Sequence, residues 1–108
     1  MQYFHDSTVR ARKTTAPGVT IRTFWGERMM LTLIDLEPHA VIPHHNHPAE
    51  QVGTMISGGF TMTVDGVVQD VKPGDVYIIP GGVYHSVVVG DQPTQVVETF
   101  SPVREEYK

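Results

Sequence analysis

Apolar and polar positions alternate in short bursts along this chain, and Gly or Pro interrupts nearly every burst. Alternation over 19–25 predicts a first strand, ended by a turn at Gly26-Glu27. The next burst, 28–37, places Met30, Thr32, Ile34 and Leu36 on one face and Met29, Leu31, Leu33 and Asp35 on the other. Pro38 ends it, and 41–43 leads into a His-rich stretch. Positions 51–57 predict a strand closed by Gly58-Gly59. Phe60, Met62 and Val64 then alternate with Thr61 and Thr63, and Asp65-Gly66 marks a two-residue hairpin turn into a return strand at 67–71. Lys72-Pro73-Gly74-Asp75 is a turn, 76–79 a strand, Pro80-Gly81-Gly82 a turn, and 84–89 a strand. After a turn at 90–93, the last strand covers 94–100, and 101–108 is a charged tail. Residues 1–18 are polar and irregular, an arm that runs along the surface or pairs at a sheet edge, and 19–108 form a single domain of eight or nine strands.

Composition narrows the architecture. The chain has 16 Val, 11 Thr and 6 Ile against only 3 Leu and 4 Ala. Stiff β-branched side chains suit strands, whereas Leu and Ala favour helices. Many short strands cut by 10 Gly and 8 Pro read as an all-β sandwich or barrel. A length of 108 residues allows one core and too little for a second. The net charge of −4 argues against nucleic acid as a partner, because phosphate binding needs a basic surface. No apolar run approaches the ~20 residues that span a bilayer. The first residues carry Asp6, Arg10, Arg12 and Lys13 and no apolar stretch, so no secretory signal is visible and a cytoplasmic protein is the default expectation. The absence of Cys excludes disulfides, thiolate metal sites and a Cys nucleophile.

Six histidines, His5, His39, His44, His45, His47 and His85, supply the candidate chemistry. On a strand His45 and His47 project from one face, Gln51 keeps that parity, and His85 arrives from a distant segment after a Pro/Gly turn. Imidazoles with an oxygen ligand suit one divalent ion such as Zn, Fe, Ni, Mn or Cu. The alternative is a set of surface histidines beside a loop. Two spacings decide between them: His45-x-His47-x3-Gln51-x6-Gly58 and Gly74-x5-Pro80-x-Gly82-x2-His85. These resemble the two motifs of the cupin family, whose fold is a double-stranded β-helix, a jelly-roll barrel. The resemblance implies that His45, His47, Gln51 and His85 hold the metal. Gln51 stands where Glu is usual, His39 where the opening Gly is usual, and Val89 where a final Asn is usual. Glu50 is the other available oxygen, on the opposite strand parity. Three neutral His and a neutral Gln leave a divalent ion at its full charge, a strong Lewis acid suited to an anionic substrate or an enolate.

The run from His45 to Gly53, the pair Met29-Met30 and the segment from Phe100 to Arg104 resemble one cupin subgroup, the KdgF-type pectin-degradation proteins. That resemblance implies opening of cyclic 4,5-unsaturated uronates, anionic sugars, to the linear keto form. The subgroup's Asp-x-Phe-x3-Arg pattern falls on Glu98, Phe100 and Arg104, with Glu in place of Asp. It implies catalytic roles for these three: Glu98 as base or acid, Arg104 as a clamp on the carboxylate, and Phe100 packed beside the sugar. The bland alternatives are a solvated Arg104 in the tail and a Phe100 in the core. Met30, Met55 and Met62 are expected in the core or pocket wall, Trp25 and Tyr84 at the mouth or in packing, and His44 exposed. Exposed sheet edges suggest a homodimer. The competing functions are a metal- or sugar-binding module without turnover and a small-molecule dioxygenase.

Overall fold

The structure, a computed structural model, describes residues 2–108; Met1, the first residue of the expected arm, lies outside them. Ten strands form: β1 Lys13–Ala16, β2 Val19–Trp25, β3 Met30–Leu36, β4 Val41–His45, β5 Glu50–Ser57, β6 Phe60–Val64, β7 Val67–Val71, β8 Val76–Ile79, β9 His85–Val89 and β10 Thr94–Ser101. They build two antiparallel sheets, ordered β1-β2-β3-β10-β5-β8 and β4-β9-β6-β7. The strand beyond the expected eight or nine is β1, which pairs with β2 as the sheet-edge alternative for the arm required. Its sequence, Lys-Thr-Thr-Ala, carries no buried residue, so no apolar alternation announces it.

Period-two burial follows the sequence pattern. Along β3, Met30, Thr32, Ile34 and Leu36 face inward, the face that the alternation groups together. The core between the sheets is made by side chains such as Ile21, Ile34, Leu36, Met55, Phe60, Val89 and Val96. A second cluster, Met30, Ala49 and Phe100 with Val103 and Tyr107 against it, closes one end. Burying each such side chain contributes roughly 1.5–3 kcal/mol. The methionines behave as expected, with Met30, Met55 and Met62 all buried.

Two turn positions explain motif residues. Gly58 has φ +86°, and a Cβ there would lie 2.2 Å from Thr94 Oγ1. His39, in the place of the family's opening Gly, also takes a left-handed φ of 64°. His tolerates that region better than bulkier residues do, and the turn is held by the His39 N–H donating to Gly90 O at 2.9 Å.

The expected charged tail is ordered. Residues Glu105–Tyr107 form a 3-10 turn, and Thr23 Oγ1 donates to Tyr107 O at 2.7 Å, tying the tail to β2. The arm before β1 is pinned as well: Arg10 Nε donates to Thr23 O at 3.0 Å and its guanidinium lies over Phe24 and Trp25.

Candidate metal centre

The pairing of β4 with β9 sets His45 directly opposite His85, with ring centroids 4.3 Å apart. His47 arrives differently. Strand alternation predicts that it shares a face with His45, yet β4 ends at His45 and His47 lies in the following loop. The loop is held by the turn before β9: Gly82 N–H donates to His47 O at 2.8 Å, and Asn46 Nδ2 donates to Gly82 O at 3.1 Å. Gly81 permits that approach, because a Cβ there would lie 2.3 Å from Pro48 O. The second motif therefore supplies a ligand in His85 and also the backbone that aims His47.

Each imidazole is oriented by its own chain. His45 Nδ1 lies 2.7 Å from Pro43 O, His47 Nδ1 2.9 Å from Ala49 O and His85 Nδ1 2.9 Å from Val83 O. A carbonyl only accepts, so each Nδ1 carries the proton and each Nε2 presents a lone pair. The ligand atoms of the three residues all lie within 4.8 Å of one another. His85 Nε2 is buried with no hydrogen-bond partner among the described residues. His47 Nε2 faces Gln51 Oε1 at 3.1 Å, one acceptor against another. An orphaned buried nitrogen and converging lone pairs are what a cation satisfies, so the residues present fit a divalent ion. Glu50, the other oxygen considered, points outward and is exposed.

Burial also favours the neutral form of His47 and His85. It pushes His85 down to about 4, with His45, His47 and Arg104 adding to the shift and the bond to Val83 opposing it. His47 is lowered by burial first and Arg104 next. Because the unfolded chain binds more protons than the fold between pH 6.5 and about 4, the metal-free protein keeps its stability above that window. It loses stability as pH falls through the window, by up to about 3 kcal/mol from His85. Melting of chelated protein at a series of pH values checks this; a midpoint that does not move across the window would contradict it.

Gln51 is the first inward residue of β5 and is buried. Its Nε2 donates to Glu98 Oε2 at 2.5 Å, which turns Oε1 toward His47. The same Glu98 oxygen accepts from Tyr77 O–H at 2.6 Å. Tyr77, Gly53 and Glu98 form one cross-strand row through β8, β5 and β10. Tyr77 crosses the intervening strand because Gly53 has no side chain; a Cβ there would meet the Tyr77 ring at 2.6 Å. Sequence reasoning missed Tyr77. The available signal was Gly53 inside a strand pattern, a mark of close approach. Burial raises the Glu98 pKa, opposed by the bonds from Tyr77 and Gln51 and by the Arg104 charge. Burial, then Glu98, raises that of Tyr77 and keeps its phenol protonated.

Beside these groups, between the sheets, lies a cavity of about 280 Å³. His45, Gln51, His85, Glu98 and Arg104 line its polar part, while Val19, Ile34, Phe60 and Val87 are among its aliphatic and aromatic walls. Arg104 is not a solvated tail residue: its side chain is 11% exposed, paired through Nε with Glu106 at 2.9 Å. Its guanidinium lies 4.0 Å from the Tyr107 ring centroid and 5.1 Å from that of Phe100. Phe100 is buried in the end cluster, lines the cavity and meets His47 edge-on, so the core and site descriptions both apply to it. Tyr107, in the stretch read only as a charged tail, is a cavity residue too. His44 and Tyr84 are exposed and stack on each other at 4.9 Å without lining the cavity. His5 and His39 take no part; His5 packs on Phe24.

Two antiparallel sheets closed around an inward cluster of three histidines define a jelly-roll barrel with a candidate metal centre. The chain belongs to the cupin domain family, whose profile matches residues 32–100. It is similar to the pectin degradation protein KdgF of Dickeya dadantii, with 25% identity over 77% of this chain and 76% of that protein. It is also similar to germin-like protein 1 of Brassica napus, 39% identical over 63% of this chain; the match spans only 36% of that longer protein. The solved structure of KdgF from Halomonas sp. aligns over the whole of both chains with a TM-score of 0.91 at 22% identity, a likeness of fold. No helix among the described residues is long and apolar enough to cross a membrane.

Proposed function

We propose that this protein is a metal-dependent isomerase that opens cyclic 4,5-unsaturated uronates, products of pectin and alginate breakdown, to the linear keto form. The observation that carries this reading is the convergence on one cavity of a buried carboxylate, Glu98, a largely buried guanidinium, Arg104, and two members of the three-His cluster, His45 and His85. The similarity to a pectin degradation protein supports it. His45, His47, His85 and Gln51 would hold one divalent ion, of the Zn, Ni, Mn, Fe or Cu kind. When bound, such an ion supplies Lewis-acid stabilisation of negative charge on oxygen.

The chain's own residues do the rest. Arg104 uses Nε on Glu106, and its terminal nitrogens bind the substrate carboxylate. Glu98 accepts the proton of the anomeric hydroxyl. A carbonyl forms at that carbon, its bond to the ring oxygen breaks, and the freed oxygen leaves as an enolate oxygen. Protonation of carbon 4 then gives the ketone, an isomerisation with no net redox change. Burial raises the Glu98 pKa, which makes its carboxylate a stronger base for this proton. Phe100 and Tyr107 wall the cavity and limit water. The carboxylate in the cavity argues for this reading over a dioxygenase, and the cavity's depth between the sheets argues for it over a surface binding module. The same reading carries the cytoplasmic location and a homodimer; exposed Leu31, Val76 and Ile78 on the outer face of the six-stranded sheet support the latter.

The test is loss of ultraviolet absorbance of freshly generated unsaturated galacturonate with protein, with chelated protein and with buffer alone. Faster loss that chelation removes is the expected result. A rate equal to the blank with metal confirmed bound would overturn the reading.

A further inference from the structure

We infer that Tyr77 is a positioning residue for the metal centre: through Glu98 it fixes which end of the Gln51 amide faces the histidines. The inference rests on the metal-centre part of the proposed function and is independent of the sugar reaction.

A glutamine amide is nearly symmetric in shape, with an oxygen acceptor at one end and an NH2 donor at the other. Only the oxygen can serve a cation. Among the described residues, the group that discriminates the two ends is Glu98 Oε2, which accepts from Gln51 Nε2 at 2.5 Å. A reversed amide would set oxygen against oxygen there and present its NH2 group to His47. Glu98 discriminates only while its carboxylate stays turned to Gln51, and the side chain has torsions that could swing it into the cavity it lines. Tyr77 prevents that by donating to the same Oε2 at 2.6 Å. The phenol belongs to β8, the carboxylate to β10 and the amide to β5, so three neighbouring strands of one sheet fix the set. Gly53 keeps the path open between them. Tyr77 contributes no ligand atom, and the cavity does not include it.

The test uses Co²⁺ as the probe metal on purified full-length protein, reading affinity by titration and coordination by the visible spectrum. Tyr77→Phe keeps the ring and removes only the hydroxyl, and circular dichroism confirms that the variant is folded. The expected result is a roughly 10- to 100-fold loss of Co²⁺ affinity with an altered spectrum, the range typical when a partner that orients a ligand is removed. A second background separates positioning from packing. In Gln51→Ala the three histidines remain and there is no amide to orient. Adding Tyr77→Phe to that variant leaves its Co²⁺ affinity unchanged if the inference holds. Wild-type affinity and spectrum in Tyr77→Phe would overturn it, as would an equal loss in both backgrounds, which marks a packing role. None of these readouts uses a uronate, so failure of the isomerase reading and failure of this one are distinguishable.

Discussion

His85→Ala is expected to lose more than about 100-fold in metal affinity, beyond what removal of an orienting partner costs. With the metal goes any turnover above the spontaneous rate. The size follows from geometry. His85 is directly opposite His45 in the sheet, and its buried Nε2 has no hydrogen-bond partner among the described residues. The other two histidines reach the centre from one short stretch and cannot close the set. Alanine at this position also removes a group that burial holds neutral, so the metal-free variant loses the acid sensitivity that His85 contributes and stays folded. Equilibrium dialysis against Zn²⁺ or Mn²⁺, with melting as a control for folding, reads the result. Full metal content and full activity in His85→Ala would mean that the centre is elsewhere.

Glu98→Gln separates the two roles assigned to that carboxylate. The amide introduced at position 98 keeps an oxygen that can accept from Gln51 Nε2 and from Tyr77. Metal affinity is therefore expected to stay within about tenfold of wild type, less than the usual loss of an orienting partner. The amide cannot take up the anomeric proton. Turnover above the blank is expected to fall roughly 10²- to 10⁴-fold, the range of a positioned acid–base group. Rates on unsaturated galacturonate at matched metal occupancy decide it. Unchanged turnover would remove Glu98 from the proton transfer and leave it as a positioning residue alone.

Strands are legible in the sequence wherever one face is buried and the other wet. Burial alternates along β3 and β10, which form where the pattern places them, as does the turn at Asp65-Gly66 between β6 and β7. β1 is not legible as a defined strand, because three of its four residues are exposed and only Ala16 packs partly against the core. Within the site, motif spacing identifies the three histidines that the fold brings together. It does not show how His47 is aimed, because a loop clamped by Gly82 takes the part assigned to strand parity. Tyr77 escapes because its contact skips a strand, and only the pairing of β8, β5 and β10 shows that Gly53 lies beneath its ring. Arg104 is named only through the family resemblance, and Tyr107 is hidden by its charged surroundings, which resemble a solvated tail until its ring is seen against Phe100.

The candidate ligands are divided between the sheets: His45 and His85 belong to β4 and β9, whereas Gln51 belongs to β5. During folding His45 and His47 are near neighbours from the start, and as a pair they can capture an ion only weakly. His85 joins them after long-range strand pairing, a slow step in chains of this topology. Cation capture by all four groups therefore belongs to the end of folding, after the sheets have closed. An interaction absent from the folding transition state slows unfolding and leaves the folding rate almost untouched. The ion would act as a late clasp that lengthens the lifetime of the closed barrel rather than as a seed for its assembly.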